Sequence, residues 1–260
     1  MKKSLLTVAV VLLVSGAQAL PYVILKGNNA RKEGTSMRAK ADGTIVLIDA
    51  QSQKWEFTRE QIVQAVADKP AELDRAIAAV QAKQYDAAIP VLKNICQALR
   101  CLEWDKPATV SLAKALQEGK NDAAGAIAAY DTLMKDYPQL ELDPEYGWAY
   151  RNALLGAKQF VKLEEKLNKL IAEGSRPDAA RAQVMRGDIR LAQDNAKLAV
   201  LDYLRTVIFF EKERDVMPAA LIRAAQVLDR LRDPRAKAFY QRVLEEYPTS
   251  PEAALARGKA

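Results

Sequence analysis

The chain has 260 residues, half of them apolar, 28% charged and only 7% aromatic, with a formal charge of +6. That length suffices for one elongated domain or two compact ones, and the alanine-rich mixture suits packed helices better than sheets or disorder. The chain contains no histidine, which removes the usual neutral-pH acid and base and the commonest metal ligand.

Lys2 and Lys3 precede an apolar run from Leu5 to Val14, and Ala17-Gln18-Ala19 supplies small residues after it. This order predicts a cleaved secretory signal over residues 1–19. The apolar run is too short for a membrane span, so the mature chain is expected to be exported, periplasmic or secreted, with no integral membrane segment. Without Lys2 and Lys3 it carries 37 basic against 33 acidic residues. Those charges alternate, as in Glu164-Glu165-Lys166, and form no basic stripe, so nucleic acid is not an expected partner.

Residues 20–57 read as a small β-rich module with strands at 22–26, 35–40, 44–49 and 53–57. Asp42-Gly43 supplies the strongest hairpin turn, because both residues tolerate positive φ. So few short strands must curl into a barrel-like sheet or lean on the helices. Thr58, followed by Glu60 and Gln61, reads as a helix N-cap, and residues 58–260 are predicted to be helical. Prolines recur at 70, 107, 138, 144, 177, 218 and 248 and cut this region into segments of helix length.

Cys96 and Cys101 are the only cysteines. In an oxidising compartment they form either a disulfide, which requires a helix to end between them, or two buried thiols. A Cys-x-x-x-x-Cys without histidine is a poor metal site. No Gly-x-Ser-x-Gly, phosphate loop or dinucleotide fingerprint is present. Neither catalytic residues nor a cofactor is expected.

The helical region repeats. A small residue, a bulky one four positions later and another three after that recur as Ala88-Leu92-Ile95, Ala126-Tyr130-Leu133, Leu163-Leu167-Leu170, Ala199-Tyr203-Thr206 and Ala236-Tyr240-Val243. One such triplet marks any amphipathic helix. Five, at intervals of 38, 37, 36 and 37 residues, indicate one helical hairpin copied and stacked. A small residue about twelve positions earlier, at Ala76, Ala113, Gly187 and Ala224, lets the two helices of a hairpin approach closely.

Through Ala126-Ile127-Ala128-Ala129-Tyr130 with Leu133 and Pro138, and Ala236 with Tyr240, Val243 and Pro248, the region from Pro70 to Ala260 resembles the tetratricopeptide repeat (TPR) family. Leu163 stands in place of the usual alanine and Arg151 where a small residue belongs, and the interval exceeds the family's period of about 34. The fold class expected is mainly α, an α-solenoid of about five TPR-like hairpins preceded by the β module. The run from Leu25 to Gly34, with Asp42-Gly43, resembles the first strands of SH3-like or Sm-like barrels. Tyr247 to Ala253 resembles the repeat ends of bacterial envelope proteins that assist outer-membrane assembly or cell-wall coordination.

The TPR resemblance implies a non-catalytic scaffold or adaptor that binds a protein or peptide partner, expected in the envelope, through its concave face. In the family register Trp148, Asn152, Arg181 and Asp188 lie on first helices and face that groove. The other reading has Trp148 packed between repeats and the other three solvated. The alternative function is a structural spacer that docks into an envelope complex through its β module.

Overall fold

The computed structural model describes residues 20–260; the expected signal at 1–19 lies outside the described residues. The chain forms two compact units that divide between Ala149 and Tyr150.

The first unit opens with β1 (Tyr22–Leu25), β2 (Arg31–Glu33), β3 (Ser36–Ala39), β4 (Ile45–Ile48), β5 (Lys54–Phe57) and β6 (Ile62–Val66). They form two antiparallel three-stranded sheets, ordered β2-β1-β6 and β3-β4-β5. Gly43, at φ +87°, makes the β3–β4 turn, which Lys40 closes by donating its N–H to the Thr44 carbonyl at 2.8 Å.

The expected helix start at Thr58 is corrected here. Thr58 does cap a turn, donating its N–H to Gln61 Oε1 at 2.8 Å, but that is a single 3-10 turn, Arg59–Gln61. The chain then extends again as β6 on the free edge of β1, where Ala65 pairs with Val23 in the buried core. A strand edge beside a short alternating apolar segment outweighs the helix propensity of Glu60, Gln61 and Gln64. The helical region begins at Leu73.

Six short strands bury little unaided, and the helices complete their core. Leu102, in the loop after the second helix, is fully buried among Val23, Ile45, Leu47 and Phe57. Trp104 donates its indole N–H to the Ala67 carbonyl at 2.9 Å.

Helices α1 (Leu73–Gln81), α2 (Tyr85–Ala98), α3 (Asp105–Lys120) and α4 (Ala123–Asp136) pack successively in the first unit. The division between units falls inside α5 (Tyr146–Gly156). The second unit continues with α6 (Phe160–Glu173), α7 (Arg176–Ala192), α8 (Ala196–Phe209), α9 (Met217–Arg230), α10 (Ala236–Glu246) and α11 (Pro251–Ala256). In sequence these make five helix pairs and a terminal helix.

All fifteen triplet residues are buried, and they fall on α2, α4, α6, α8 and α10, the second helix of each pair. The turns repeat as well: each pair is joined through one non-glycine residue at positive φ, namely Lys83, Asn121, Lys158, Asp194 and Arg232. Such a left-handed residue ends a helix and redirects the chain within two or three positions. Side-chain caps at Asp122, Ser175, Asn195 and Ser250 start the helices that follow them.

Candidate functional site

Trp148 is only 6% exposed. Asn152 on α5 and Arg181 on α7 are exposed. Asp188 is engaged within the chain: its carboxylate accepts from Tyr203 Oη on α8 at 2.8 Å and meets Arg223 Nη1 on α9 at 3.1 Å. Burial pushes the Asp188 carboxyl above its ordinary range, and Arg223 and the Tyr203 hydroxyl oppose that rise. It therefore ties three consecutive helices together. Arg151, in the position expected to be small, is itself buried.

Cys96 and Cys101 are free thiols. Cys96 lies inside α2 with Sγ 3.5 Å from Thr109 Oγ1 on α3. Cys101 follows the helix end at φ +64° and turns its Sγ toward the Arg59 guanidinium, 3.7 Å away. Helix α2 persists to Ala98, so the two sulfurs leave on different sides. Burial raises both thiol pKa values, that of Cys96 to about 11, which leaves them poor nucleophiles at neutral pH. Among the described residues no group of three or more His, Cys, Asp or Glu is placed to hold a metal.

The second unit carries a surface that the repeat register did not single out. Leu198, Leu201, Ile208 and Phe209 are 44%, 46%, 65% and 63% exposed, and no other helix among the described residues bears more than one exposed large apolar side chain. With Arg205 they stand at i, i+3, i+7, i+10 and i+11, one continuous stripe. Ala199, Tyr203 and Thr206 bury the opposite face of the same helix.

Beside the stripe, Arg186, Arg190, Leu198, Asp202 and Arg205 line a hollow of about 250 Å³. Asp202 is 3% exposed, and its Oδ1 accepts from Gln183 Nε2 at 2.8 Å, Arg186 Nη2 at 2.9 Å and Arg205 Nη1 at 2.7 Å. Arg190 pairs with Glu164 of α6 at 2.5 Å. Three guanidiniums against two carboxylates leave the margin of the stripe basic.

The Tetratricopeptide repeat family model matches residues 110–139 and 219–250. The first match spans most of α3 and α4, the second α9 and α10, and both coincide with helix pairs whose second members bury the Ala-Tyr triplets. The chain is a TPR-like repeat protein. Repeats of this kind commonly mediate protein–protein interaction, and the tandem hairpins of this TPR-like chain, with the small β region before them, fit that use. No curated protein matches the chain.

Proposed function

We propose that this protein is a non-catalytic scaffold, exported by residues 1–19, which holds an envelope protein partner on the exposed face of α8. The observation that carries the reading is the Leu198-Leu201-Ile208-Phe209 stripe. Exposing four large apolar side chains along one face of a folded helix has no stabilising role in the free chain, and such exposure marks interaction sites. Of the first-helix residues, Asn152 and Arg181 are exposed, whereas Asp188 meets Tyr203 and Arg223 within the chain and Trp148 is buried.

Crosslinked capture from fractionated cells tests the proposal, using the wild type, an Ile208→Ser/Phe209→Ser variant and an Asn152→Arg/Arg181→Glu variant. A discrete partner in the envelope fraction that is lost only with the α8 changes supports it. Loss only with the Asn152/Arg181 changes moves the contact to the first helices. Intact mass of the recovered chain shows whether residues 1–19 have been removed, and their retention would overturn the export step.

A further inference from the structure

The first unit contains a cleft of about 870 Å³, a size typical of ligand sites, which the repeat pattern does not account for. Its sides are α2 and α4, its floor is α3, and the β3–β4 hairpin closes one end. The closure is built rather than incidental. Arg100 holds Asp136 of α4 in a two-pronged pair, at 2.6 and 2.9 Å, and donates its remaining arm to the carbonyl of Ala41 in the hairpin. The Arg100 and Asp136 side chains are 20% and 11% exposed, so this strut sits inside the wall.

What lines the space indicates what fills it. Ala98 on one side and Ala128 and Ala129 on the other leave room for a chain to lie close to the helices. The Asn94 and Gln97 amides face the cleft from exposed positions and form no hydrogen bond among the described residues. Each offers both a donor and an acceptor, the pair that a peptide backbone requires. The charges are unequal. Both carboxylates of the cleft are occupied, Asp136 by Arg100 and the buried Asp105 by the Tyr137 hydroxyl and the Cys101 N–H. Arg38 and Lys93, both exposed, have no ion-pair partner among the described residues.

We infer that this cleft binds an extended acidic peptide segment of a protein partner, with its carboxylates on Arg38 and Lys93 and its backbone against Asn94 and Gln97. The inference rests on the scaffold reading, but it places a contact in the other unit from α8. It also uses the second helices α2 and α4 and the β hairpin, not the first-helix groove implied by the family resemblance.

Random decapeptides displayed on phage and panned against the full chain test it, followed by fluorescence polarisation with the enriched sequences. The expected winners carry two or more Asp or Glu. Their Asn/Gln copies bind about tenfold more weakly or worse, as the loss of charge-assisted hydrogen bonds requires. Arg38→Glu/Lys93→Glu produces the same loss, and Ala128→Trp, which fills the cleft without changing its charge, abolishes binding; far-UV circular dichroism confirms that the helices remain. Ile208→Ser/Phe209→Ser leaves the peptides bound. Winners without acidic residues, winners indifferent to Arg38 and Lys93, or no enrichment at all would each overturn the cleft assignment. Peptides lost only with the α8 change would do so as well while leaving the scaffold reading intact.

Discussion

Gly187 lies directly against the ring of Tyr203: a Cβ added at Gly187 would stand 2.4 Å from the ring Cε1. This contact joins α7 to α8 and explains the absence of a side chain at a helix-interior position, where glycine ordinarily costs stability. Gly187→Ala gains about 1 kcal/mol in helix propensity but drives the methyl into a ring held by its hydroxyl to Asp188. Overpacking of this kind costs about 1–3 kcal/mol, and at 2.4 Å it should win. A net fall in urea midpoint is expected, larger for Gly187→Val; an Ala variant as stable as wild type would show that the helices are free to move apart.

Asp188 supplies a related test. Asp188→Ala strands the Tyr203 hydroxyl and the Arg223 guanidinium, which should lower unfolding free energy by about 1–3 kcal/mol, and Asp188→Asn, which keeps an acceptor for Tyr203, should cost less. Unchanged stability in the Ala variant, measured by urea unfolding, would return this residue to a partner-binding role.

Asp105 gives stability a pH dependence with a definite sign. Burial lifts its carboxyl from 3.8 to about 6; the Cys101 N–H, the Tyr137 hydroxyl and Lys106 favour the charged form, and Asp136 opposes it. The folded chain therefore holds this proton more tightly than the unfolded chain. The Asp105 contribution is fully present below about pH 4, falls as pH rises toward about 6 and is constant beyond, a change of about 3 kcal/mol. Asp105→Asn should lack this slope, so the difference between wild-type and variant stability should itself change between about pH 4 and 6; parallel curves would contradict the assignment.

The β region should depend on the helices. Leu102→Ala takes a fully buried side chain out of the core between the sheets, at a cost of about 2–5 kcal/mol. Proteolysis within residues 20–66 should accelerate, with a change in Trp55 and Trp104 fluorescence, while the α9–α10 segment stays protected. Equal protection throughout would mean that the sheets are stable without the loop.

The repeat was legible because its signal is doubly redundant: a helical period within each triplet and a nearly constant interval between triplets. Both survive the exchange of Ala for Leu163, which still buries fully. Strand β6 was not legible, because Ile62-Val63-Gln64-Ala65-Val66 is extended only through its pairing with β1, a partner about forty residues away, and Thr58 carries a true capping signal for a turn that stops after three residues. The role of Asp188 was hidden for a similar reason: an acidic residue on a predicted groove looks the same in sequence whether its partners come from another molecule or from Tyr203 and Arg223. The α8 stripe could have been found. Once Ala199, Tyr203 and Thr206 are assigned to the buried face, Leu201 and Ile208 fall on the opposite one; the helix is apolar on both sides, so composition alone conceals it. The Arg38–Lys93 cleft could not, since it combines a strand, the second helices of two repeats and a loop arginine.

The central claim is that α8 is a docking face for a protein partner. Its most direct test is site-specific photocrosslinking in the native cell, with a benzophenone side chain at position 208 in one strain and at position 152 in another. The account predicts a discrete protein adduct from position 208 and none from position 152. An adduct confined to position 152, or no protein adduct at position 208 while the protein is folded and present, would contradict it.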